Sequence, residues 1–412
     1  MPKRTVASSP SHLLPSIPLP LSLSLLAVSL CSFAALCLLL HAPMADLLVY
    51  RAEGEAVVHG GDLYGFTVTE WRLPATYPPF AAVLFVPTTW IPVPALKVAF
   101  LAGDALLLAW LVALSARLAG RPLPLPALCA ATALALWLEP VFQTLLFGQI
   151  NLAIACLVLW DLTRPPGARA KGLALGIAAG VKLTPAIFIA YLFLTARRKE
   201  AGVATASFLG TVLLGALLLP SATADFWTRR LFETGRVGKA WIVDNQSLQG
   251  LIARASGTET PGPAWVLPAA GLAAAGLWLA TRAGRAHGDR MYGDRWGIPL
   301  TAFTALLVCP ISWSHHWVWC VPLLAVLLAA GRPYLALTTA ALFSARTMWL
   351  LPHAGDRDLH LPWWQQPLAS PYPLLGLALL ASAALALRRH GRTLRGGGAQ
   401  PSARISSASM IR

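Results

Sequence analysis

Residues 170–199 read AKGLALGIAAGVKLTPAIFIAYLFLTARRK. Two apolar runs, 170–181 and 184–196, meet at Lys182-Leu183-Thr184-Pro185. Arg169 and Lys171 precede them, and Arg197, Arg198 and Lys199 follow. One continuous helix would be long enough to cross a bilayer, but it would put the two basic clusters on opposite faces. Basic residues gather on the cytoplasmic side of membrane proteins. Only an even number of crossings keeps both clusters there, so the stretch is expected to form two short spans broken at Lys182. Pro185 helps the break, because proline removes a backbone donor and clashes with the preceding turn.

The same alternation extends over the chain. Further spans are expected at 18–40, 95–116, 124–140, 145–162, 202–220, 264–283, 297–311, 316–330, 333–350 and 371–388. Residues 78–92 carry Pro78, Pro79, Pro87 and Pro92, and are expected to be re-entrant or interfacial. The first apolar run follows Lys3 and Arg4 as a signal peptide would, but it is longer than a signal's and is read as an uncleaved anchor. The expected fold class is therefore an all-α polytopic membrane protein of about 12 transmembrane helices plus one re-entrant segment. It comprises a cytoplasmic N-terminus at 1–17, a membrane domain at 18–388 with outer loops 41–77 and 221–262, and a disordered basic tail at 389–412.

Composition agrees with this reading. Of the 412 residues 57% are apolar and 12% charged, against about 25% charged in soluble domains. The formal charge of +15 would suggest nucleic acid in a soluble protein, but here it partitions with topology. The expected inner segments hold 21 basic and four acidic side chains, the outer segments nine and twelve, and Lys97, Asp104 and Arg346 fall within spans. Basicity thus reports orientation and gives no reason to expect a nucleic-acid partner. Many of the 16 Trp residues lie near segment ends, where interfacial anchors sit. The six cysteines show no metal-ligand or CxxC spacing and read as small apolar residues.

Polar motifs gather at the expected outer ends of spans: Asp46–Tyr50, Asp62–Tyr64, Tyr77–Phe80, Phe147–Leu152, Gly180–Pro185, Asn245–Gly250 and Ser312–Trp317. Ionisable groups at membrane depth are costly, so their convergence marks a functional site. The residues alone define a pocket with carboxylate, amide, imidazole and ammonium groups, and leave open whether it performs chemistry or transport.

In order and spacing these motifs resemble glycosyltransferase family 87, the polyprenol-phosphate-mannose-dependent α-1,2-mannosyltransferases of actinobacterial envelopes. The resemblance covers residues 46 to 317. It implies a C-type glycosyltransferase fold in the plasma membrane, with both termini cytoplasmic and an extracytoplasmic active site. It also implies a polyprenyl-phosphate-mannose donor, a glycolipid or glycan acceptor, and an inverting transfer. In such a fold the catalytic base lies in the first outer loop, which makes Asp46 the candidate. An inverting transfer needs one carboxylate to take the acceptor proton. The departing lipid phosphate needs donors or cations around it, for which His315, His316 and Lys182 are candidates, with Arg51 and Arg254 behind them. Asp62, Tyr64, Tyr77, Gln149, Asn151, Asn245 and Gln246 are possible substrate contacts. No cofactor is expected. A divalent metal stays open, although the only DxD-like spelling, Asp356-Arg357-Asp358, lies in a late loop. The rival reading of the same pocket is a flippase or transporter of lipid-linked sugars. It would need ionisable groups along a path through the membrane, and Asp104 is the only acid in a span interior.

Overall fold

The computed structural model describes residues 17–285 and 290–396. Most of the N-terminal segment and residues 397–412 of the tail lie outside the described residues. The chain opens with α1 (Leu19–Leu39), whose 21 residues span about 31 Å at 1.5 Å per residue. A turn through His41 and Met44, both at positive φ, leads into α2 (Ala45–His59), which ends at Gly60 in the left-handed conformation. A two-residue hairpin pairs Thr67–Val68 with Leu73–Pro74.

Residues 78–92 form α3 (Pro79–Phe85) and a 3-10 turn (Val86–Trp90), packed against α2. Then follow α4 (Val93–Leu118), α5 (Leu125–Ala135), α6 (Glu139–Phe147), α7 (Asn151–Thr163), α8 (Leu173–Val181), α9 (Ala186–Leu194) and α10 (Arg198–Leu218). The loop beyond carries α11 (Pro220–Thr228), α12 (Thr234–Val237) and α13 (Leu248–Ser256). The remainder comprises α14 (Pro263–Arg285), α15 (Arg290–Val308), a 3-10 turn (Ser314–Trp319) running into α16 (Cys320–Ala329), α17 (Pro333–Ser344), α18 (Gln366–Ala369) and α19 (Pro371–Gly396). Helix α19 continues past the boundary at 388 expected from sequence.

Among the described residues, five helices are long and apolar enough to cross a membrane: α1, α4, α10, α14 and Pro371–Arg388 of α19. The pair α5–α6, bent by 77°, could count as a sixth broken span. The all-helical, multi-span architecture expected from sequence is present, while helix length and composition alone show five or six of the twelve expected crossings. Each of the twelve stretches contains helix, but the other seven are short or bent or, in α15, interrupted by Asp294 and Arg295. Residues 170–196 do form two helices. Their break at Lys182 lies at one end of the bundle, whereas Lys171 and Arg197 lie together at the other. All six cysteines are free thiols.

A glycine stripe explains how α8 is held. Gly172, Gly176 and Gly180 recur every fourth residue on one helix face. A Cβ on any of them would collide with Glu200 O, Ala204 O or the Thr211 side chain of α10. Small residues at this spacing let membrane helices approach closely and gain packing contacts. The N-terminus of α8 is held as well, because the Asp161 carboxylate accepts the N–H groups of Gly172 and Leu175 at 2.9 and 3.0 Å. Lys182, immediately beyond α8, is thereby set in height and direction.

Candidate active site

The site forms where α2, the α6–α7 turn, the α8–α9 break and the 3-10 turn at Ser314 meet. Asp46 sits in the first turn of α2, where the helix dipole favours a negative charge. Gly148 ends α6 at φ +69°, and a Cβ there would lie 2.9 Å from the Leu47 side chain. Glycine is thus needed for both the turn and the close approach that brings Gln149 beside Asp46. The Gln149 side chain lies beside Asp46 and favours its charged form. Its Oε1 accepts from the Tyr50 hydroxyl at 2.9 Å and the Tyr77 hydroxyl at 3.3 Å, and the two phenol oxygens are 3.1 Å apart.

Lys182 occupies the opposite side of this aromatic pair. Its ammonium donates to Asn151 Oδ1 at 2.9 Å, to the Tyr77 hydroxyl at 3.4 Å and to His316 Nε2 at 3.0 Å. An ammonium has only donors, so His316 accepts through Nε2 and carries its proton on Nδ1. Among the described residues no carboxylate forms an ion pair with Lys182. Lys182, Asn151 and His316 line one side of a crevice that also reaches Ile154, Phe188 and Leu306. It therefore combines a polar, cationic end with apolar walls.

The two histidines differ. His316 is partly exposed to the crevice, whereas His315 is buried behind it. The His315 carbonyl accepts from Thr144 and Asn151, both at 3.1 Å, and its ring lies edge-on to Phe147. Neither ring nitrogen of His315 has a hydrogen-bond partner. Asp244 fastens the turn that carries both, by accepting the Ser314 N–H at 3.0 Å.

Enclosure raises the Asp46 carboxyl to about 6. The Gln149 side chain and the Lys182 charge pull it back, while Asp244 pushes it further up. Asp244 is itself raised by burial. Glu53, two turns beyond Asp46 on the same helix face, is 1% exposed and raised well above the usual carboxylate range by burial.

Other residues named from sequence have their polar atoms committed elsewhere. Arg254 donates to the carbonyls of Ile242 and Asn245 and to the Ser370 hydroxyl, and burial lowers it to about 10. Arg51 pairs with Glu55 and donates to the Thr88 and Ile91 carbonyls. Asn245 donates to Ala240 O and Pro310 O and accepts from Ser247 and Ser312, and Gln246 joins Val243, Ala369 and Tyr372. These four order the loops around the crevice. Asp62 is exposed and caps its own turn at Tyr64 N. Tyr64 donates to Tyr77 O and so steadies the segment leading into α3. Asp358 accepts the Val243 N–H and ties the late loop to the same scaffold.

Tyr50, Glu53 and Asp244 had no assigned role in the sequence reading. The i, i+4, i+7 spacing of Asp46, Tyr50 and Glu53 is a readable signal for the first two of these. Asp244 lies in a loop and has none.

Residues 75–310 match glycosyltransferase family 87. The chain belongs to that family. It is 35% identical over 375 residues to a polyprenol-phosphate-mannose-dependent alpha-(1-2)-phosphatidylinositol mannoside mannosyltransferase of Mycobacterium tuberculosis, covering 84% of this chain and 86% of that protein. It is 34% identical over 359 residues to a phosphatidylinositol pentamannoside mannosyltransferase of the same species, covering 82% and 80%. A phosphatidylinositol mannoside mannosyltransferase of Mycolicibacterium smegmatis is 32% identical over 370 residues, with 81% and 82% covered. No solved structure matches the chain.

Proposed function

We propose that the protein transfers mannose from a polyprenyl-phosphate-mannose donor to a phosphatidylinositol mannoside, forming an alpha-(1-2) linkage with inversion. The names of its relatives supply the donor and acceptor classes. The observation that carries the reading is the placement of the partly exposed Asp46 carboxylate across one aromatic pair from Lys182, a cation with no ion-pair partner among the described residues.

In this reading Asp46 takes the acceptor hydroxyl proton while that oxygen attacks the anomeric carbon. The bond from that carbon to the phosphate oxygen breaks, and its electron pair leaves with the lipid phosphate. Lys182 and His316 stabilise the charge that develops there, and a phosphate leaves without needing a proton from an acid. The apolar crevice wall beside Lys182 suits a prenyl chain. The short helices complete the crossings of a C-type glycosyltransferase fold. The face with Asp46 is extracytoplasmic, and the basic end and both termini are cytoplasmic. Family membership favours transfer over the flippase reading, and product formed by purified protein without a second compartment would distinguish them. Asp46→Asn is expected to insert and fold normally while losing mannose transfer from polyprenyl-phosphate-mannose to a glycolipid acceptor. Near-normal turnover by the purified variant would remove Asp46 as the base.

A further inference from the structure

Gln149 is 4% exposed; its Oε1 accepts from two phenols, and its side chain lies beside Asp46. The orientation of a glutamine amide follows from its partners. Here two phenols point at one end. Tyr50 has a single proton and gives it to Gln149 Oε1 at 2.9 Å, and Tyr77, which accepts from Lys182, gives its own to the same oxygen at 3.3 Å. Exchanging the two ends would turn the amide oxygen towards the Asp46 carboxylate, acceptor against acceptor, and would take away the oxygen that receives the phenol protons. The Nε2 end therefore faces Asp46. Packing fixes the same arrangement, since the Tyr50 ring stacks on Phe85 at 4.4 Å and lies edge-on to Tyr77 at 5.5 Å.

We propose that Gln149 is a positioning residue for the reaction. Locked by Tyr50 and Tyr77, it orients and stabilises the Asp46 carboxylate and does not contact substrate. Through the Tyr77 hydroxyl the same lock reaches Lys182, so that base and cation share one rigid frame. The proposal rests on Asp46 being the base. It also accounts for how a carboxylate with Glu53 on its own helix and Asp244 across the loop stays ionised near neutral pH. The groups facing Asp46 are Glu53 and Tyr50 from α2, Tyr77 from the segment before α3, Gln149, Lys182 and Asp244. Of these, Gln149 and Lys182 favour its charged form.

The test compares pH–rate profiles of purified wild type, Asp46→Asn, Gln149→Met and Tyr50→Phe with polyprenyl-phosphate-mannose and a phosphatidylinositol mannoside. Gln149→Met keeps the side-chain volume and removes the amide. Its acid limb should move up by about one pH unit, the size expected for losing one hydrogen bond to a charged group. Its kcat near neutrality should fall while the acceptor KM holds, with partial recovery of kcat at higher pH. Tyr50→Phe loosens the lock by one oxygen and should move the limb in the same direction by less, which keeps the test available if Gln149→Met fails to fold. An unmoved limb in the folded variants, or a raised acceptor KM with an unmoved limb, would overturn the positioning role while an inactive Asp46→Asn upholds the base. An active Asp46→Asn would remove the base and this proposal together.

Discussion

The two ends of the bundle treat charge in opposite ways. At the end that carries Arg197, charges are closed on one another. Arg197 pairs with Asp294 at 3.0 Å and with Glu200, and the Tyr191 hydroxyl donates to Asp294 at 2.8 Å. At the other end Lys182 meets an amide, a phenol and an imidazole, and among the described residues neither it nor Asp46 is held in an ion pair. A buried charge left without a counter-ion is costly. It persists where a ligand of complementary charge completes it. The contrast separates a structural network from a site, and it can be tested one residue at a time.

The largest effect is expected at Asp46. Asp46→Asn should lower kcat by about 10²–10⁴-fold, the usual contribution of a general base, with Tm within a few degrees of wild type. Lys182→Met should follow, lowering kcat/KM for the lipid donor by about 10²-fold as one preorganised donor to a developing anion is lost. Steady-state kinetics at varied donor concentration would measure this, and an unchanged kcat/KM would break the comparison at its cationic side. The pH dependence has a definite sign. Asp46 is raised to about 6 and must be deprotonated to act, so turnover should fall as pH drops through about 6 and level off above it. Initial rates from pH 5 to 8 would show it.

At the opposite end Arg197→Met should destabilise the protein by about 3 kcal/mol, because it removes a buried cation and leaves the half-buried Asp294 and Glu200 without it. The surviving folded fraction should keep its kcat, as a thermal melt paired with an activity assay would reveal. Asp62→Asn should do least, leaving kcat within about twofold, since Asp62 is exposed and caps only its own turn.

How far the sequence could be read follows the same contrast. Asp46, Lys182 and His316 stand out as polar residues beside apolar runs, and the structure gathers them at one end. The break of 170–196 was readable because the flanking basic clusters constrained it. The number of full spans was not. Apolar length cannot show that α5 and α6 bend by 77°, because the bend depends on what they pack against. Arg254, Asn245 and Gln246 looked like site residues for a related reason. A polar side chain in a loop has the same spelling whether its partner is a sugar or the carbonyls of residues 240–246 and 310, and only the folded loop supplies those carbonyls. Gln149 lay within a recognised motif, but its two phenol partners are 99 and 72 residues away, too far for sequence spacing to suggest.

Helices α8 and α9 have nine residues each. At 1.5 Å per residue each is about 14 Å long, roughly half the 30 Å of a bilayer's hydrocarbon. In the proposed topology a lipid phosphate that meets Lys182 would have to sink below the headgroup plane, unless the bilayer dimples to meet the protein. Either movement strains the membrane, by an amount that depends on how thick it is. Acyl-chain length in the surrounding lipid thus becomes a control on rate, acting through the elasticity of the bilayer without touching a reacting atom.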